Sequence, residues 1–340
     1  MGTATYTDAK GGGPLKEGEV LMQGATITTG AGSYVDLDLG VNGNALRVEA
    51  DSTLSLDKLD YTKAIETVVN TEVEVKKGSA VANVVTKLSK ASKYEIKTPA
   101  GVAGIRGTVV RAGTARIVCL IGRVQFRPVA GGGVQMVVGG MVYAVGSPAP
   151  VRATAVETRG LAHTGVTMTA HTASSLVNAV VQQFSSALVA EAAAAAGKAG
   201  GNIPKAAADA ARGIVAELLQ RVEQAAAQAP PQLRAALLAA ARDLRARSGS
   251  IIAMAAGVGA QTAVINGGGT QQEAILAGQN AVDQSGGPKV VLPPPPPRSS
   301  DPIPEAPPTP PAPPKPPQDP KPPVKTEPEP VITTTKKTVG

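Results

Sequence analysis

The chain has 340 residues, of which 43% are apolar but only 2% aromatic, with no Trp, so any core is packed from Val, Ile, Leu and Ala. The net charge of +7 is spread along the chain rather than gathered into one basic field, and stacking rings are scarce. Together these features argue against specific nucleic-acid binding. Cys119, the single cysteine, excludes an intrachain disulfide and reads as a small hydrophobe on a strand.

Composition divides the chain into five stretches: a flexible N-terminus (1–14), a Val/Thr/Gly-rich β-region (15–150), a linker (151–171), an Ala-rich helical region (172–285) and a disordered Pro-rich tail (286–340). Met1–Gly13 is polar and lacks the apolar core of a signal peptide. The β-region opens with short strands before Gly24 and Gly30. Val35, Leu37 and Leu39 then alternate with Tyr34, Asp36 and Asp38, the pattern of a half-buried strand. Asn42-Gly43-Asn44 supplies a hairpin turn. Strands at Arg47–Ala50 and Thr53–Leu56 lead into a polar connection over Asp57–Glu66. Thr71–Val75 and Ala80–Val85 read as a hairpin about Lys76-Lys77-Gly78.

Tyr94–Ala112 (YEIKTPAGVAGIRGTVVRA) is the most constrained stretch. A strand ends at Thr98-Pro99, a Gly-punctuated turn holds Gly101, Gly104 and Gly107, and a β-branched run leaves through Thr108-Val109-Val110. The Gly spacing is that of a phosphate loop, but such a loop needs a helix after it, and here a strand follows. Thr98, Pro99, Gly104, Arg106, Gly107 and Thr108 are therefore read as a fold-defining turn and candidate partner contact. Arg106 is expected to pair with an acidic residue or with backbone carbonyls. Val134–Val138 and Met141–Val145 form a last hairpin about Gly139-Gly140.

Helices are expected from Thr172–Ser175, with Leu176, Val180, Phe184, Leu188 and Glu191 at helical spacing. Another follows Gly200-Gly201-Asn202-Pro204 with a stripe of Ile214, Leu218 and Val222, and a third follows Pro230-Pro231 and stops at Gly249. Two weaker helices lie near 251–265 and 271–284. Ile251–Ile265 is too short to span a membrane, so no transmembrane span is expected. From Gly286 the prolines favour an extended spacer that resembles those of TonB-like energy-coupling proteins and offers docking sites.

Groups for catalysis are sparse. His163 and His171 are the only histidines and read as surface residues. No Gly-x-Ser-x-Gly, His-Glu-x-x-His or metal-ligand cluster appears, so neither an enzyme nor a cofactor is expected.

Four motifs occur in the order of the FecR-like domain: EGEVLMQGATITTGAGSYVDLDL, VEVKKGSAVANV, YEIKTPAGVAGIRGTVVRA and RIVCLIGRVQF, the last with Gly122 in its turn. Residues 15–146 thus resemble that family, departing from it at Val109-Val110 and Ile121. The resemblance implies a mainly β fold, a sandwich or coiled β-sheet, acting in the periplasm or at the cell surface with protein partners of the envelope. The expected function is non-catalytic binding, sensing or scaffolding; the alternative is a truncated FecR-type regulator of a sigma factor.

Overall fold

A computed structural model describes residues 3–63, 66–84, 88–131, 133–172, 187–197, 201–229, 231–295 and 331–337. The strands among the described residues belong to one sheet. They are β1 (Ala4–Asp8), β2 (Gly11–Pro14), β3 (Val20–Leu21), β4 (Thr26–Thr29), β5 (Ser33–Asp38), β6 (Ala45–Val48), β7 (Thr53–Lys63), β8 (Thr67–Lys77), β9 (Ser79–Asn83), β10 (Lys93–Thr98), β11 (Gly101–Gly113), β12 (Arg116–Pro128), β13 (Gln135–Val138), β14 (Met141–Ala144), β15 (Val151–Arg152) and β16 (Val331–Lys337). Their order is β2-β1-β4-β7-β8-β10-β11-β9-β6-β5-β16-β3. β12 joins through β11, β13 and β14 both pair with β12, and β15 pairs with β14.

The hairpin expected about Lys76-Lys77-Gly78 is instead a corner. β8 pairs with β7 and, in parallel, with β10, while β9 pairs with β11 and β6. Gly78 turns the chain with φ +75°, packed so closely on Ser52 that a Cβ would overlap it. Ser52 Oγ accepts the Ser79 N–H at 2.9 Å and fixes the corner. β10 and β11 consequently bridge the β2-β1-β4-β7-β8 part of the described sheet to the β9-β6-β5-β16-β3 part.

The central strands are apolar on both sides because both faces are covered. Val110, Ala112, Ile117 and Cys119 face the inner core with Leu37, Leu46, Val73 and Phe126. Val109, Val118 and Leu120 face a second core shared with the helices. This accounts for the unbroken runs Val109-Val110 and Ile117–Leu120, where a one-sided strand would alternate.

Residues 151–171, expected to be a linker, hold β15 and helix α1 (Ala155–Thr172). α1 lies across the sheet with Leu161, Ala162, Val166 and Met168 buried. Thr154 caps it: its Oγ1 accepts the Glu157 N–H at 3.3 Å while Glu157 Oε2 accepts the Thr154 N–H at 2.9 Å. Arg116 on β12 pairs with Glu157, and Asn83 Nδ2 on β9 donates to Thr169 Oγ1 at 2.6 Å, fastening both ends of the helix to the sheet. Helix α2 covers Ala187–Gly197; the start expected at Thr172–Ser175 and the positions Leu176, Val180 and Phe184 lie outside the described residues or, for Thr172, at the end of α1.

α3 (Ile203–Gln228) begins as expected, with Asn202 Oδ1 accepting the Lys205 N–H and Ile214, Leu218 and Val222 buried. α4 (Pro231–Asn266) does not stop at Gly249 but runs on to Asn266, and α5 (Gln271–Gln284) follows. Gly249 is retained where Pro288 crosses the helix: a Cβ there would sit 3.3 Å from the proline Cδ. As one continuous helix, Leu233–Asn266 is long and apolar enough to cross a membrane by length and composition, with half of its most apolar window buried within the fold. The expectation of no such helix rested on the break at Gly249, which is not there.

Further expectations are revised by the sheet. Residues 4–14, expected to be flexible, form β1 and β2, with β1 paired to β4. The polar connection at 57–66 is largely the outer half of the 11-residue β7. Gly122 lies within β12 rather than in a turn. β13 and β14 pair with opposite ends of β12 and not with each other. Of the tail, Leu292 packs near Gly257 and Gly278, and Val331–Lys337 form β16 between β5 and β3.

Candidate partner-binding surface

The six residues singled out in the sequence fall at three places. Thr98 and Pro99 make the turn into β11. Thr98 Oγ1 accepts the Ala100 N–H and donates to the Gly101 carbonyl, both at 3.2 Å. Gly107 and Thr108 mark a kink inside β11, which continues through Gly104 and Gly107 as a single 13-residue strand rather than as a glycine turn. Gly107 has φ +58°, and across the ladder Gly122 of β12 has φ +81°. The register shifts between Arg106 and Val109, and both strands bend there. Thr108 Oγ1 lies 3.0 Å from the Arg106 carbonyl and 3.2 Å from the Arg123 carbonyl, so one hydroxyl serves both sides of the kink.

Gly104 and Arg106 lie elsewhere, on the solvent face. Register places Glu95, Gly104 and Gln125 side by side across β10, β11 and β12, with Lys97, Val102 and Arg127 in the next row. Arg106 stands directly opposite Arg123 on the other side of that row. Val124, Phe126 and Ile105 point the other way into the core. With no side chain at Gly104, a cavity of about 290 Å³ opens between Glu95, Arg106, Arg123, Gln125, Arg127 and Val134. The neighbouring β13 pairs only with β12 among the described residues and exposes Met136 and Val138 beside it, with Val134 exposed just before the strand.

Charge is unevenly distributed over this face. On the β8–β10 side, Lys93 pairs with Glu72 at 2.9 Å and with Glu95 at 3.1 Å, and Lys97 pairs with Glu72 at 2.9 Å and with Asp57 at 3.4 Å. Hydrogen bonds from Lys97 and Lys93 hold the Glu72 carboxyl down to about 2. On the β11–β12 side, Arg127 reaches Glu95 at 2.9 Å. Among the described residues Arg106 donates to the Lys90 carbonyl, at 3.0 Å. Among the described residues no carboxylate reaches Arg106 or Arg123. Arg123 and Arg127 were missed in the sequence, although Arg123-x-Gln125-x-Arg127 has the period-two spacing that puts them on one face.

A larger cleft of about 580 Å³ lies between the β12 kink, α1 and α2. Alanine and glycine dominate its walls, and its carboxylate, Glu191, is held by Thr158 and Arg159 at 2.8 Å each. Two groups suited to chemistry, Cys119 and His163, are covered by the fold. Burial pushes the Cys119 thiol up to about 12. His163, expected at the surface, is largely covered in α1; burial, with Arg47 and Arg221 adding to it, lowers its pKa to about 4. His171 lies in the same helix. Among the described residues no cluster of His, Cys, Asp and Glu could hold a metal ion.

The profile of the family described as FecR protein matches residues 25–125. No curated protein matches the chain. Among solved structures, similarity is found to two crystal structures from Parabacteroides distasonis ATCC 8503, each described as that of an anti-sigma factor. One is 12% identical with a TM-score of 0.29, over 38% of this chain and 59% of that one. The other is 12% identical with a TM-score of 0.22, over 44% and 60%. The chain thus spans under two thirds of either.

Proposed function

Since residues 25–125 match the FecR family, we propose that this protein is a non-catalytic signalling component that works through protein partners, and, in its finer form, that it regulates a sigma factor from the periplasm or cell surface. The FecR match over residues 25–125 carries this reading. Two features of the fold support it. The solvent face of β10–β13 is open and charged beside an edge of β13 that no other strand pairs among the described residues, a surface suited to a partner. Beyond the kink, β11 and β12 are packed on α1 through Val109, Val118 and Leu120, so a partner on the sheet acts on a body that includes the helices. The burial of Cys119 and His163 speaks against chemistry at either group.

The test is crosslinking in intact cells, with the photoreactive residue placed at Gln125 on the open face, followed by identification of the captured protein. Transcript profiling of a strain lacking the protein accompanies it. Capture of one defined protein, together with a change confined to the genes of one sigma factor, is the expected outcome. Capture with unchanged transcripts would remove the sigma-factor reading, and no capture from the envelope or the cytosol would remove the partner-binding one.

A further inference from the structure

We propose that the hollow over Gly104 seats an acidic, extended peptide segment of a protein partner, its carboxylates on Arg106 and Arg123 and its apolar side chains against Val134, Met136 and Val138. This rests on the partner-binding reading above and specifies the chemistry of the partner.

Three observations carry it. The first is Gly104 itself. Its backbone is not in the left-handed region, and an added Cβ would meet nothing closer than the Gln125 carbonyl oxygen at 3.7 Å. Neither conformation nor packing demands glycine here, and glycine weakens a strand interior. What its absent side chain does provide is an open floor between Glu95 and Gln125.

The second is the pairing of Arg106 with Arg123. Like charges directly opposite on neighbouring strands destabilise a sheet. The carboxylates of this face are spent on Lys93, Lys97 and Arg127, and among the described residues none answers these two guanidiniums. A guanidinium holds a carboxylate through two parallel N–H···O bonds, so a carboxylate at this position would relieve the repulsion and be held in a fixed orientation.

The third is the apolar strip along β13 and the residue just before it. Val134, Met136 and Val138 are 57%, 42% and 44% exposed, on the solvent face next to the cations. Cations alone would suit any anion; cations beside an apolar strip at strand spacing suit a peptide that alternates acidic and apolar side chains. A single-stranded nucleic acid would need stacking faces, and the ring beside the hollow, Tyr94, is buried in the core.

Fluorescence anisotropy with the full chain tests this. The probe is a labelled eight-residue peptide of alternating glutamate and valine; a lysine–valine peptide and a twelve-nucleotide oligothymidylate are the comparisons. The glutamate–valine peptide is expected to bind with an affinity that falls at least about tenfold between roughly 50 and 500 mM salt. Gly104→Leu, which fills the hollow, and Arg123→Glu, which reverses one charge, should each weaken it at least about tenfold. Arg123→Glu changes an exposed side chain, so it decides the matter should Gly104→Leu fail to fold. Undiminished binding by Arg123→Glu, equal binding of the lysine–valine peptide, or tighter Arg123-dependent binding of the oligothymidylate would each overturn the proposal. In cells, a partner captured equally by the native chain and by Arg123→Glu overturns the groove but leaves the partner-binding reading standing. Peptide binding that needs Arg123, with no partner captured in cells, supports the groove and counts against that reading.

Discussion

Gly104, Gly107 and Gly122 look alike in sequence, yet the structure gives them three different reasons to be glycine, and alanine at each should have a different effect. At Gly104 the backbone suits any residue and a Cβ has room, so Gly104→Ala should be neutral or stabilising by about 0.4–1 kcal/mol through the unfolded chain. At Gly107, φ +58° imposes the left-handed penalty of about 1–2 kcal/mol, but open space surrounds the position. At Gly122 the same penalty applies, and the new Cβ would lie 2.6 Å from the Gly107 carbonyl oxygen and 3.0 Å from Thr108 Oγ1. Both neighbours are held by the kink, so overpacking of about 1–3 kcal/mol adds to the backbone term, for a total of about 2–5 kcal/mol. Amide hydrogen exchange of peptides from β11 and β12 measures these differences locally. A tenfold change in exchange rate corresponds to about 1.4 kcal/mol, so Gly104→Ala and Gly122→Ala, about 2–6 kcal/mol apart, should differ by roughly one and a half to four orders of magnitude. Equal losses at all three positions, or the greatest loss at Gly104, would refute the reasoning.

Asp36 and Arg47 form a two-point ion pair at 2.6 and 2.7 Å that is almost wholly buried, with Tyr34 over the guanidinium. Asp36→Ala should therefore cost about 3–5 kcal/mol in urea unfolding, whereas replacing both partners by apolar residues of similar size should recover most of it. Removing the cap of α1 by Thr154→Ala should cost about 1 kcal/mol, read as faster exchange in the first turns of that helix. Stability should fall with acid in two windows. His163 is lowered from 6.5 to about 4, so its contribution is present above 6.5 and lost as pH falls towards 4. Glu72 is lowered from 4.5 to about 2, so its contribution is present above 4.5 and lost towards 2. Urea midpoints against pH should lose the first limb in His163→Gln and the second in Glu72→Gln. Cys119 should resist thiol reagents at pH 8 in the folded chain and react once it is unfolded.

Local chemistry made several elements legible. The alternation at Tyr34–Leu39 and the turn at Asn42–Asn44 foretell the β5–β6 pair, in which Asn44 has φ +65°. Asn202, Pro204 and the stripe to Val222 foretell α3. Partner choice was not legible, because alternation shows that a strand is half buried but not what lies beside it; Lys76-Lys77-Gly78 could close a hairpin as well as turn a corner. α1 escaped notice because it is covered on several sides, so no single apolar stripe stands out. Its threonines behave as apolar residues by donating back to the helix: Thr158 to Thr154, Thr167 to His163, Thr169 to Gly165 and Thr172 to Met168. The Thr154-x-x-Glu157 capping box was the available signal. At the hollow, Gly104 and Arg106 were picked out as part of a turn or a partner contact, and the structure sets them within the continuous strand β11. The cations that complete the hollow lie on another strand, which only the β11–β12 register brings alongside.

The corner at Gly78 also sets the order in which the molecule can assemble during synthesis. When residues 4–83 have left the ribosome, β8 and β9 are consecutive in the chain yet have no ladder between them, and each still lacks a neighbour. β9 waits for β11 and β8 for β10, so two partial sheets with open edges must persist until Lys93–Gly113 emerges and bridges them. The long separation of these contacts along the chain slows closure, and the open edges are exposed to other strands meanwhile. The nascent protein is thus most vulnerable to mispairing during the interval of translation before its most constrained stretch appears.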